Sequence, residues 1–170
     1  CAQLLLEHGA DIEAHYIDPA YPDCPQSALY GATGVNCNPL LAEVLLRHGA
    51  NTQDGESIYH AAQFGHIACL EVLLKHGADF SATQKPWDNT PLYFLFGHRP
   101  SDRQWPTALT GIKWLLEVGE ADPNVASTVH EEMPLHRAAR QHKAEAIDLL
   151  LEHGAHADAP ARDGLAIVER

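Results

Sequence analysis

The sequence predicts an all-α fold, a solenoid of stacked antiparallel helix pairs joined by loops or β-turn fingers. Three observations carry that expectation. A phrase of large apolar residues closing on a glycine returns five times: Leu4-Leu5-Leu6-Glu7-His8-Gly9, Val44-Leu45-Leu46-Arg47-His48-Gly49, Val72-Leu73-Leu74-Lys75-His76-Gly77, Trp114-Leu115-Leu116-Glu117-Val118-Gly119 and Leu149-Leu150-Leu151-Glu152-His153-Gly154. A second phrase opens each unit in between, at Ser27-Ala28-Leu29-Tyr30-Gly31-Ala32, Glu56-Ser57-Ile58-Tyr59-His60-Ala61-Ala62, Thr90-Pro91-Leu92-Tyr93 and Met133-Pro134-Leu135-His136-Arg137-Ala138-Ala139. The helix before each glycine is also apolar on more than one face, as in Ile67, Cys69, Leu70, Val72, Leu73 and Leu74. Such a helix has to be covered on several sides, as between neighbouring repeats.

Taken in order, residues 1–10 read as the second helix of a partial repeat (1–26). A connection follows that is longer than the others: 18 residues from Gly9 to Ser27, against 13 from Gly77 to Thr90. It holds Tyr16, Asp18, Pro19, Tyr21, Pro22, Asp23 and Pro25, which reads as an extended, stiffened, aromatic and acidic loop. Full repeats start near 27, 56, 90 and 133. The turn from Gly49 to Glu56 is short, with little room for a projecting finger. Thr90 suits an N-cap, and Pro91 and Pro134 suit the first helical turn, where a missing N–H costs nothing. Ala61-Ala62 and Ala138-Ala139 put small side chains where helices approach closely. Each closing glycine can take the left-handed conformation that ends a helix.

The repeat opening at Thr90 departs most from the pattern. Phe94-Leu95-Phe96 replaces the small residues, and Gly97 to Pro106 is inserted before the second helix. Bulky residues there are expected to spread the helices, with Arg99, Arg103 and Trp105 covering the gap, a matter of packing rather than a site. Asp163-Gly164 reads as the start of a further repeat at 163–170. The expectation is one array over residues 1–170. Neither end shows the polar cap of a terminal repeat, and the chain opens at Cys1, so it reads as a fragment whose parent continues in both directions.

Met133 to Ala139 resembles the T-P-L-H-x-A-A opening of an ankyrin repeat, and Gly65-His66 resembles the Gly-His pair that follows it. The five glycines are 40, 28, 42 and 35 residues apart, scattered around the roughly 33 of an ankyrin unit. The resemblance covers essentially the whole chain. It implies fingers and first helices lining a concave surface that binds another protein.

Composition bounds the function. The chain has 170 residues, 45% hydrophobic and 20% charged, which is a folded protein rather than a disordered tail. Its 23 acidic and 11 basic residues give a net charge of −12, which argues against nucleic acid or an anionic membrane as partner. No apolar run approaches the ~18–20 residues of a membrane span. Cys1, Cys24, Cys37 and Cys69 make no C-x-x-C pair and read as reduced thiols of an intracellular protein; no motif suggests a Cys24–Cys37 bridge, though spacing leaves it open. Twelve histidines invite a metal, but His8, His48, His76 and His153 share one repeat position, where hydrogen bonding and helix C-terminal charge explain them better. No nucleophile, phosphate-loop or H-E-x-x-H motif accompanies Asp122, Glu131, Glu132 and His136, and the carboxylates among them read as solvated surface.

The function expected is protein–protein recognition by a cytoplasmic or otherwise intracellular monomer, with no cofactor, no metal and no catalysis. The competing reading is a regulatory or substrate-docking segment of a larger enzyme. Candidate partner-binding residues are Tyr16, Tyr21, Trp87, Asp88, His130, Glu131 and Glu132, on the three connections long enough to project. Exposed Tyr and Trp are common interface anchors, and the acidic residues around them favour a partner with a basic surface.

Overall fold

Runs of leucine, alanine and valine closed by His-Gly end the helices at Glu7, Arg47, Lys75 and Glu152, and prolines open those that start at Pro39, Pro91 and Pro134. The computed structural model describes residues 1–85, 88–97, 101 and 103–159. The turn expected at Asp163-Gly164 and the side chain of Arg99 lie outside them. The chain divides into two compact units, Cys1–Asp79 and Phe80–Arg170.

The first unit runs α1 (Ala2–Glu7), β1 (His15–Ile17), β2 (Pro25–Ser27), α2 (Ala28–Tyr30) continued by a π-helical turn (Gly31–Val35), α3 (Pro39–Arg47), α4 (Ser57–Gln63) and α5 (Ile67–Lys75). The second helices α1, α3 and α5 pack in one row, and α2 with its π turn packs on α4. The π turn has a sequence cause: Ser27 to Gly49 is one residue longer than Glu56 to Gly77, and the wider turn absorbs the extra residue. Gly34 sits where α4 comes closest, since a Cβ there would lie 2.9 Å from His60 Cβ.

The second unit runs α6 (Pro91–Gly97), α7 (Trp105–Glu117), α8 (Pro134–Arg140) and α9 (Ala144–Glu152). Again the first helices α6 and α8 pack together, as do the second helices α7 and α9. Phe94, Leu95 and Phe96 are all buried in the irregular repeat. Trp105 lies 6.3 Å from Phe96 between ring centroids, with the Lys143 ammonium 4.3 Å over its own ring. Trp105 therefore covers Phe96 as expected, while Arg103 is exposed and takes no such part.

Two expectations need correction. Gly9, Gly49, Gly77 and Gly154 are left-handed (φ 79 to 93), but Gly119 is not; Glu120 (φ 51) takes that conformation one residue later. Gly119 serves space instead of backbone conformation, because a Cβ there would meet the Leu115 carbonyl at 3.0 Å and the rings of Trp114 and Phe80 just beyond. Ala138 is fully buried, yet Ala139 is only half-buried, so just one of that pair is a close-approach position. Its counterparts Ala61 and Ala62 are both fully buried.

The repeated histidines work as read from the sequence. The Nδ1–H groups of His8, His48 and His153 each donate to the carbonyl four residues back at 2.8 Å, satisfying acceptors that a helix end leaves open. His66 donates across the repeat boundary to the Thr33 carbonyl at 2.7 Å.

A second set of bonds joins consecutive turns. In the turns after α1, α3 and α7, Asp11, Asn51 and Asp122 accept from the amide two residues on. The residue at that second position, and Ser81 at the same position after α5, then reaches the next repeat. Glu13 accepts from Asn51 N–H, Gln53 donates to the Asp79 carbonyl, Ser81 accepts from Asp122 N–H, and Asn124 bonds both the Gly154 carbonyl and His156 N–H.

Candidate functional site

Three connections project as fingers, each closed by antiparallel pairing at its base. The first is a two-stranded hairpin with His15 opposite Ser27, Tyr16 opposite Gln26 and Ile17 opposite Pro25. Proline at 19, 22 and 25 limits the loop's freedom, and turns at Asp18–Tyr21 and Tyr21–Cys24 fold it back. What the sequence offered as an extended loop is thus a short hairpin. All of β1 is exposed, with Tyr16 at 61% and Ile17 at 49%, and Tyr21 in the loop beyond it is exposed to the same 61%.

The other two fingers share one design. Single bridges pair Gln84 with Asn89 and Ser127 with Glu132. Asp88 N–H and Glu131 N–H donate back to the Gln84 and Ser127 carbonyls at 2.8 Å, and both residues are left-handed (φ 50 and 53). Asp88 pairs with Lys85 at 2.6 Å, and its carbonyl accepts from both the amide and hydroxyl of Thr128, tying one finger to the other. Asp88 is therefore committed largely to the finger itself. Trp87 lies outside the described residues.

His130 and Glu131 are exposed, but Glu132 is buried. Glu132 pairs with Arg137 at 3.1 Å and with Arg140. Arg137 in turn donates to the Tyr93 hydroxyl at 2.8 Å and lies over the Tyr93 ring, on which the His130 ring also stacks. Burial pushes the Tyr93 hydroxyl upward in pKa despite that arginine. The expectation that Glu132 is solvated surface is overturned for a plain reason. Glu132 neutralises two arginines at the foot of the finger, and the buried His136 ring accepts from Met133 N–H and donates to the Ala159 carbonyl.

One organising residue was missed. Asp54 accepts from the backbone of Glu56 and Ser57 and from the hydroxyls of both Ser27 and Ser57, so it fastens the starts of α2 and α4 together. Its signal was present as an Asp three residues before a serine at a helix start. Ile17 was also missed, because in an unpaired loop nothing sets its direction. Among the described residues, no cluster of three or more His, Cys, Asp or Glu is placed to hold a metal ion. All four cysteines are free. No helix among the described residues is long and apolar enough to cross a membrane.

Paired helices, His-Gly closures and β-closed fingers define a repeat module of one kind, and comparison with known proteins gives it a family. The ankyrin repeat model in three copies matches residues 1–84 and the single ankyrin repeat model matches residues 130–163. The chain belongs to the ankyrin repeat family, whose domains are noncatalytic modules that bind proteins. Human ankyrin repeat and SOCS box protein 6 is 35% identical over 136 residues, covering 72% of this chain and 30% of that protein. Zebrafish (Danio rerio) ankyrin repeat and SOCS box protein 11 is 37% identical over 98 residues, covering 58% of this chain and 29% of that protein. The chain thus spans about a third of the length of these relatives. The crystal structure of the human ASB11 ankyrin repeat domain superposes with a TM-score of 0.70 at 27% identity, over 99% of this chain and 70% of that one. The ankyrin repeat domain of Bcl-3 shares the fold, with a TM-score of 0.76 at 21% identity over 97% of this chain and 69% of its own.

Proposed function

We propose that this chain is a protein-recognition scaffold that holds a partner through its inter-repeat fingers and the concave face lined by its first helices, as an intracellular monomer without catalytic activity. The observation that carries this reading is how the fingers are built. Their bases are hydrogen-bonded into the repeats, while Tyr16, Tyr21, His130 and Glu131 are left exposed. Rigid fingers with exposed rings lose little entropy on binding. Trp87 and Asp88 belong to the same proposed surface. Four free thiols fit a reducing compartment. The same reading takes residues 1–170 as one run of repeats, supported by a family match that crosses the boundary between the two units.

The test is affinity capture with partner identification, followed by Tyr16→Ala with Tyr21→Ala. That pair should weaken binding about tenfold or more, about 1.4 kcal/mol, and leave the melting temperature unchanged. Affinity indifferent to finger substitutions would overturn the proposal.

A further inference from the structure

We infer that the first finger, residues 11–27, docks an extended, arginine- or lysine-rich segment of a partner protein. The inference rests on the recognition role proposed above and assigns that finger its chemistry. Tyr16, Ile17 and Tyr21 place three large exposed side chains within six residues, the first two on β1, which is exposed at every position, and the third in the loop that follows. β1 pairs on one side only, in a sheet of two strands, so its outer edge offers backbone donors and acceptors to a further extended chain.

Charge then selects the occupant. Residues 1–46 contain no lysine or arginine. The whole unit Cys1–Asp79 has ten acidic residues against Arg47 and Lys75, and both of those cations sit on Glu43, at 3.7 and 2.8 Å. Asp11, Glu13, Asp18 and Asp23, each within five residues of Tyr16 or Tyr21 in sequence, therefore have no lysine or arginine left in their own unit. Asp11, Glu13 and Asp18 each commit one carboxylate oxygen to a backbone amide, of Glu13, Asn51 and Ala20 respectively. That fixes the group and leaves its second oxygen to accept from a ligand. A finger that carries both fixed carboxylates and exposed tyrosine rings suits guanidinium or ammonium groups, which pair with an acid and lie over a ring. The proline-stiffened loop lowers the ordering cost of that contact.

Fluorescence anisotropy of the whole chain with a short labelled peptide alternating Arg and Ser tests this, with a Glu/Ser peptide as control. The basic peptide should bind and the acidic one should not. Tyr16→Ala with Tyr21→Ala, and separately Asp18→Asn with Asp23→Asn, should each weaken binding about tenfold. Glu145→Gln with Glu152→Gln, exposed acids on α9, should change it less than about twofold. All variants should keep the helical circular dichroism of the parent chain. Absence of binding, indifference to the tyrosines, or an equal loss in the α9 variant would each overturn the inference. If the basic peptide fails while Tyr16→Ala with Tyr21→Ala still weakens capture of an identified partner, this chemistry is wrong and the recognition role stands. If partner capture ignores the finger, the recognition role fails instead.

Discussion

At Ala62 and Ala138 a methyl group fills all the space that the neighbouring helix leaves, and both are fully buried. Leucine at either position should cost about 1–3 kcal/mol by overpacking, read from denaturant midpoints. The same change at half-buried Ala139 should cost less, and equal costs at 138 and 139 would put the helix register in error. Phe96 occupies the small-residue position in the irregular repeat and is also fully buried. Phe96→Ala should therefore open a cavity and cost roughly 3–5 kcal/mol. Glu132 behaves differently from Glu131 despite adjacency. Glu132→Gln should lower stability by about 3 kcal/mol by leaving Arg137 partly buried without its carboxylate, whereas Glu131→Gln should leave the melting temperature nearly unchanged. A neutral Glu132→Gln would mean that the arginines find water instead. The sequence could place Glu131 and Glu132 on a finger but not divide them. That division depends on the left-handed turn at Glu131, which sends the next residue inward to arginines on α8.

Among the elements, the nine-residue second helices α3, α5 and α9 were the most legible, because leucine spacing and a His-Gly closure mark each of them and Pro39 also marks the start of α3. The hairpin was half legible. Its aromatic and proline content could be read, but strand pairing is a non-local choice that three-residue strands do not announce. The insertion before α7 was legible as packing only because Trp105 had one large apolar neighbour to cover. Within α5, burial pushes the Cys69 thiol up to about 12, while Cys37 is exposed in a left-handed turn. The thiolate is the reactive form. Iodoacetamide at neutral pH should therefore label Cys37 in the folded chain and reach Cys69 only after denaturation, as peptide mass spectrometry would show. Equal labelling of the two would mean that α5 opens readily.

For the whole chain, the family and the paired-helix fold are more legible in the sequence than individual contacts are. Each repeat buries its apolar face only against its neighbours, and a recurring phrase is the direct sequence image of that dependence. The turn-to-turn bonds are less visible, because Glu13, Gln53, Ser81 and Asn124 share a position but no chemistry.

Those bonds make each turn a timer for its neighbour. Asn51, Asp122 and His156 are exposed, so their amides would be expected to lose protons to solvent within the fastest class. Yet each donates to a side chain supplied by the preceding repeat, Glu13, Ser81 or Asn124. Deuterium uptake at these amides should be slowed for as long as the two turns stay docked, and opening of either one releases it. Glu13→Ala should then speed uptake at Asn51 while leaving Asp122 and His156 at their former rates, measured by exchange-detected NMR. Fast uptake at all three in the unaltered chain would show that the bonds are too short-lived to transmit anything. Slow uptake would give a readout, amide by amide, of the order in which repeats let go of one another.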